Sequence, residues 1–98
     1  MELTIRWKRK AVRQLADAIK YIEEDSLVNA ETFEKEILKK LAGLVLQPER
    51  YQPDKFKTNN DGSFRPFEIH SYRISYRYTS NQIRIIRIRH TKMNPQNY

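Results

Sequence analysis

Residues 64–90 read FRPFEIHSYRISYRYTSNQIRIIRIRH. Three runs within them, Phe64 to Ile69, Tyr72 to Tyr78 and Ile83 to Arg89, are dense in β-branched and aromatic residues. His70-Ser71 and Thr79-Ser80-Asn81-Gln82 punctuate them, so the stretch predicts successive antiparallel strands, a meander. In the middle run Tyr72, Ile74, Tyr76 and Tyr78 alternate with Arg73, Ser75 and Arg77. A side-chain period of two puts these sets on opposite faces, and the apolar set must meet the core. A two-residue turn at His70-Ser71 would pair Ile69 with Tyr72, Phe67 with Ile74 and Glu68 with Arg73, because directly opposed residues share a face. Pro66 donates no ladder bond and marks a sheet edge or a bulge.

The last run, IRIIRIRH, divides less cleanly. Ile86, Ile88, Arg84 and His90 form one set; Ile83, Ile85, Arg87 and Arg89 form the other. A preceding loop of odd length pairs even with even positions, so that Ile86 and Ile88 join the core. Arg87 and Arg89 then join Arg73 and Arg77 on the far face. A loop of even length sets Arg87 opposite Ile74 and buries a charge at a cost of several kcal/mol. The odd-length loop is therefore expected, with Arg73, Arg77, Arg87 and Arg89 as one basic patch and His90 on the core side.

Upstream, Leu3, Ile5 and Trp7 alternate with polar residues as in a half-buried strand. From about Lys8 to Glu24, Val12, Leu15, Ile19 and Ile22 form a stripe at helical period. Ser26 suits the N-cap of a second helix running to about Leu46, with Ala30, Phe33, Ile37, Leu41, Leu44 and Val45 as its stripe. So short a connection makes an antiparallel helix hairpin. Gly43 weakens the second helix and Pro48 ends it. Residues 47–63 read as loop, anchored by Tyr51 and Phe56; the tail from Thr91 to Tyr98 reads as irregular. The sequence thus predicts one α+β domain over 1–98: N-terminal strand, helix hairpin, three-stranded meander, with the helices on one face of a four-stranded sheet.

The net charge is +7 and there is no cysteine. The charge bias favours a polyanionic partner. Without cysteine there is neither a disulfide framework nor a thiolate metal site, and His70 and His90 alone make a poor zinc site. No apolar run reaches the roughly 20 residues of a membrane span, and no secretory leader is visible, so a cytoplasmic protein without a membrane partner is expected. With Gly43 and Gly62 the only glycines, no phosphate-binding glycine loop exists, and no cofactor is expected.

The order of elements, together with IRWKRKAVRQLADAIKYI, PERYQPDKFK, FRPFEIHSYRISYRY and QIRIIRIRHTKMNP, resembles the RelE/ParE superfamily of bacterial type II toxin–antitoxin systems. The resemblance covers nearly the whole chain. It implies that the first strand lies beside the last. It also implies a growth-inhibiting, plasmid-stabilising toxin and a cognate ParD- or RelB-like antitoxin with an acidic C-terminal segment. Two activities stay open: RelE-like members cut mRNA in the ribosome, and ParE-like members are described as DNA gyrase poisons. RNA cleavage without a metal needs a base, cations around the phosphorane and an acid. By the Tyr-Arg-apolar-x-Tyr pattern Arg73 matches the phosphate-contacting arginine of the family, with Arg89 and His90 as further catalytic candidates. Lys57, Arg65, Arg77, Arg87 and Lys92 are candidates for binding target or nucleic acid, and Tyr98 could replace a C-terminal tyrosine. RelE-like members carry a further arginine after the last strand; here that region reads Thr91-Lys92-Met93-Asn94-Pro95, which favours the ParE-like branch. A nucleic-acid-binding module without toxicity is a third reading. If the basic patch is the functional face, Arg73→Ala with Arg89→Ala should abolish toxicity and spare the fold.

Overall fold

A computed structural model describes residues 3–98. Strand β1 is Thr4–Trp7, helix α1 Arg9–Asp25, helix α2 Leu27–Leu46, and strands β2, β3 and β4 are Phe64–Ile69, Tyr72–Tyr78 and Gln82–His90. The sheet order is β1-β4-β3-β2. The meander is antiparallel, and β1 runs parallel to β4, with Ile5 beside Ile83 and Trp7 beside Ile85. The helix hairpin covers one face, as expected, and β2 with its Pro66 is the edge opposite β1.

The helices form where the sequence places them. Ser26 caps α2, its hydroxyl accepting the Asn29 N–H at 3.1 Å, which satisfies one of the free donors of the first turn. Helix α1 is rotated slightly from its expected stripe: Ala11 and Ala18 are fully buried, whereas Val12 is 50% exposed. Small residues at the contact let α1 lie close to β4. The Gln14 side chain accepts the Ile88 N–H at 2.7 Å, so α1 also covers the edge of β4 beyond the end of β1.

The core comprises Phe33, Ile37, Leu41 and Leu44 of α2 against Phe67, Ile74, Tyr76, Ile83, Ile85 and Ile88 of the sheet. Full burial of each such side chain contributes about 1.5–3 kcal/mol. Tyr76 is fully buried and its hydroxyl donates to the Pro48 carbonyl at 2.7 Å, which fixes the chain where α2 ends.

The register between β3 and β4 departs from expectation. Ile74 faces Ile88 and Arg73 faces Arg89, as an odd-length loop would give. Nearer the turn, however, Tyr76 faces Ile85, Arg77 faces Arg84 and Tyr78 faces Ile83, the pairing of an even-length loop. A β-bulge between Ser75 and Tyr76 joins the two registers. Ile86 is the extra residue and is only half-buried; Ile83 and Ile85 occupy the core in its place. The bulge keeps Arg87 beside Ser75 and out of the core, and moves Arg84 to the far face.

Candidate functional site

The far face of the sheet carries two rows of arginine. One row runs across β1, β4 and β3 as Arg6, Arg84 and Arg77, all exposed. The other holds Arg89 and Arg73 as directly opposed neighbours, with Arg87 beside Ser75. The expected patch is thus assembled, with Arg6 and Arg84 added. Strict alternation places Arg84 on the core side, because a one-residue insertion between two isoleucines leaves no mark in an apolar pattern.

The second row is only partly open to solvent. The loop after α2 folds along β2: the Asp54 N–H donates to the Phe64 carbonyl at 2.7 Å, and the Asn60 amide donates to the Asp54 and Phe64 carbonyls at 3.2 and 2.8 Å. This places the Asp54 carboxylate beneath the arginines, where it is buried. One oxygen accepts Arg73 Nη2 at 2.8 Å and the Phe56 N–H at 3.0 Å. The other accepts the Ser75 hydroxyl at 3.0 Å and the Tyr98 hydroxyl at 2.6 Å. Burial alone would raise the Asp54 pKa; the bonds from Tyr98, Arg73 and the Phe56 N–H outweigh it and hold the carboxyl below its ordinary value. Burial and the bond to Asp54 together push the Tyr98 phenol well above its ordinary range.

Arg73 is held on three sides. Besides Asp54 it meets Glu68 at 3.2 Å, and its guanidinium lies 4.9 Å from the centre of the Phe56 ring. Its Nε is buried without a hydrogen-bond partner among the described residues.

The C-terminal residues cross this row. Arg89 donates to the Asn94 carbonyl at 3.0 Å and the Gln96 side chain at 3.1 Å; Arg87 donates to the Gln96 carbonyl at 2.7 Å. The Tyr98 ring lies 4.0 Å from the Arg87 guanidinium. Tyr98 also pairs with the loop: its N–H donates to the Phe56 carbonyl at 3.0 Å, and its main-chain oxygen accepts the Thr58 N–H at 2.6 Å. The tail is irregular, as the sequence indicates, and it is docked. A cleft of about 170 Å³ remains beside it, lined in part by Arg73, Arg87, Arg89, His90, Lys55 and Phe56.

The remaining candidates lie in several places. Arg77 approaches Ser63 Oγ at 3.1 Å and Asp61 at 3.8 Å and sits 4.9 Å over Phe64, on the arginine face. Lys57 joins that face, with Nζ 4.6 Å from the Phe64 ring and 5.6 Å from the Tyr98 ring. Arg65 lies across from Tyr76 on the helix side, where it donates to the Gly62, Glu49 and Tyr51 carbonyls and ties down the loop. His90 pairs with Tyr72 on the helix side, its ring edge-on to Tyr72 at 5.0 Å and its Nδ1 accepting the Lys92 N–H. His70 sits in the β2–β3 turn at φ 56° and meets Glu36 at 3.3 Å. The structure therefore unites Arg73, Arg77, Arg87, Arg89 and Lys57, and separates them from Arg65. The His90 ring lies with Tyr72 across the sheet from the Arg73–Arg89 pair. Sequence reading missed Asp54. The signal was a lone acid between Tyr51 and Phe56, in a chain whose arginines need carboxylates.

No group of three His, Asp or Glu residues stands together as a metal cage among the described residues. No helix among them is long and apolar enough to cross a membrane.

A helix hairpin on a four-stranded sheet whose first strand lies beside the last defines the RelE/ParE class of toxin domains. Residues 5–95 match the model of the ParE toxin of type II toxin–antitoxin system, parDE, and the chain belongs to that family. It is a ParE-like toxin. Its fold is similar to a solved chain of the chromosomal ParDE TA system from P. aeruginosa, at 19% identity, with a TM-score of 0.65, over 92% of this chain and 97% of that one. No curated protein matches the sequence.

Proposed function

We propose that this toxin arrests growth by binding its target through the arginine face, that the target is DNA gyrase, and that a cognate ParD-like antitoxin with an acidic C-terminal segment silences it in the cytoplasm. The observation that carries a binding mode is the state of Arg73. The arginine expected to contact a scissile phosphate already neutralises the buried Asp54 carboxylate. The histidine expected to move a proton has its ring on the other side of the sheet, against Tyr72. Cleavage of RNA needs cation, base and acid free to act on one phosphate; His90 borders the cleft of Arg73, Arg87 and Arg89, but its ring is packed on Tyr72 and Arg73 is committed to Asp54.

One observation favours the ribosome-dependent endoribonuclease instead: Arg73 and Arg89 are immediate cross-strand neighbours beside a cleft large enough for a phosphate. That reading requires Arg73 to leave Asp54. Induced expression in bacterial cells separates the two. Messages with intact 5′ ends, altered plasmid supercoiling and gyrase-linked DNA breaks are expected. Codon-positioned cuts in translated messages would overturn the gyrase reading. Absence of any growth effect would overturn toxicity and leave a nucleic-acid-binding module.

A further inference from the structure

We infer that the corner between the end of α1, the start of α2 and the β2–β3 turn is a second binding site, shaped for the guanidinium of an arginine on a partner protein. A cavity of about 470 Å³ opens there, lined in part by Tyr21, Glu24, Asp25, Asn29, Ser71 and Tyr72. No lysine or arginine is among its described lining residues. In a chain of net charge +7, this is an acidic, aromatic cavity.

Three independent features fit it to a cation. Tyr72 lines the cavity and is 8% exposed. Its hydroxyl makes no hydrogen bond among the described residues and is not sealed off from solvent, so it ends at the cavity. Burial and the neighbouring Tyr21 phenol push the Tyr72 phenol up, so the hydroxyl stays neutral and can accept an N–H. Glu24 and Asp25 make no ion pair among the described residues. They close α1, whose last turn holds no basic residue, and a helix C-terminus adds the equivalent of about half a negative charge. Finally, Tyr21 and Tyr72 both stand nearly perpendicular to the His90 ring, at 6.3 and 5.0 Å. The rings form walls, and aromatic walls attract cations.

Shape selects the cation. A guanidinium is planar, lies against an aromatic ring and offers a fork of N–H donors to carboxylates. An ammonium matches the charge alone and is more strongly hydrated. The surroundings select a protein as its carrier. Leu27 and Val28 stand directly before Asn29 of the cavity wall and are 67% and 70% exposed. They offer apolar surface to the residues flanking an incoming arginine, as at interface hot spots where an anchor fills a pocket inside a ring of drier contacts. A free polyamine would leave them uncovered. His70, at the border of the cavity, already meets Glu36 at 3.3 Å, so it does not neutralise Glu24 or Asp25.

The test titrates the isotope-labelled full chain with acetyl-Leu-Arg-Leu-amide and follows the Asn29 and Ser71 amide signals. Saturable shifts at both are expected. The citrulline tripeptide, of nearly the same shape but uncharged, should bind roughly tenfold more weakly, as should the arginine tripeptide to Glu24→Gln with Asp25→Asn. Tyr21→Ala should weaken binding about threefold through the lost ring. Tyr72→Phe, which keeps the core filled, should do so about threefold through the lost hydroxyl. Glu31→Gln with Glu34→Gln removes the same charge from the hairpin outside the cavity and should leave binding nearly unchanged. Absence of saturable shifts at Asn29 and Ser71 would overturn the site. Equal binding of the citrulline tripeptide, or an equal loss in the Glu31 and Glu34 double variant, would overturn a specific cation site. A lysine tripeptide binding as tightly would overturn the guanidinium. Spermidine displacing the arginine tripeptide at a lower concentration than the tripeptide itself requires would overturn the protein partner in favour of a free polyamine. The changed residues lie outside the arginine face and toxicity is not read, so failure here and failure of the gyrase reading are separable.

Discussion

Removing a cation from a buried carboxylate costs more than the pair itself contributes, because the orphaned charge stays behind. This changes the expectation for Arg73. Its side chain is 17% exposed and its partner Asp54 is wholly enclosed, so Arg73→Ala should destabilise the fold by about 3 kcal/mol. In a domain of this size that is roughly 15 °C of melting temperature. Asp54→Ala with Arg73→Ala should cost less than the sum of the single changes, since the two act on one interaction. Loss of toxicity in an Arg73 variant would therefore report folding as well as function. Arg87→Ala with Arg89→Ala is the cleaner probe of the face: both bond only to the tail, and the double variant should lose toxicity with its melting temperature nearly unchanged. The same carboxylate sets an acid limb. The Asp54 pKa is lower folded than unfolded, so its contribution is complete above about pH 4, where the unfolded chain is also ionised. It is lost as pH falls through the folded value, because the unfolded chain takes up the proton first. Asp54→Asn should be less stable near neutrality and should show a flatter acid limb below about pH 4, measured as denaturation midpoint against pH. None of this was visible in the sequence, because Asp54 meets Arg73, Ser75 and Tyr98 only through long-range folding.

At the scale of elements, IRIIRIRH is an alternating strand with one isoleucine inserted. Without Ile86 the order would be Ile83, Arg84, Ile85, Arg87, Ile88, Arg89, His90, core and far face in strict turn. The bulge absorbs the extra residue. Deleting Ile86 should therefore leave the pairs Ile85–Tyr76 and Arg87–Ser75 intact and yield a cooperatively folding protein, at a cost below about 2 kcal/mol. A non-cooperative melt would mean that the bulge is required for the twist of the sheet. Helix α2 offers a change of opposite sign. Gly43 lies inside it, and an added Cβ would come 2.7 Å from Arg50 Nη1, the mobile end of an exposed side chain. Arg50 can swing aside, so Gly43→Ala should stabilise by about 0.5–1 kcal/mol, the helix-propensity difference, read as a higher denaturation midpoint. The elements themselves were legible because each is dictated locally: the alternation of Tyr72–Tyr78, the period of α2, the Ser26 cap and the His70-Ser71 turn all agree. The bulge was not, since two adjacent isoleucines satisfy either register and only tertiary packing chooses between them.

At the scale of the molecule, charge is unevenly spread between layers. The helix hairpin balances Asp17, Glu23, Glu24, Asp25, Glu31, Glu34 and Glu36 with Arg9, Lys10, Arg13, Lys20, Lys35, Lys39 and Lys40, whereas in the strands Glu68 is the only acid among seven arginines. The sequence could show that arginines alternate along each strand. It could not show that Arg6, Arg84 and Arg77 line up across three of them, because that depends on the parallel β1–β4 register and on the bulge. Like charges directly opposed across a sheet destabilise it by about 0.2–1 kcal/mol per pair. Arg84 stands between Arg6 and Arg77, and among the described residues it makes no ion pair. Arg84→Thr, which keeps a strand-favouring residue, should raise the melting temperature by a few degrees in low salt. The gain should shrink as ionic strength approaches 0.15 M, where charges are screened beyond about 8 Å. The parent should accordingly be stabilised by added salt, and Arg84→Thr should respond less. If the parent instead loses stability with salt, attraction in the ion pairs of Arg73 with Asp54 and Glu68 outweighs repulsion within the sheet. If its melting temperature follows the expected course, the exposed row costs the isolated fold stability that a polyanion bound across it would restore.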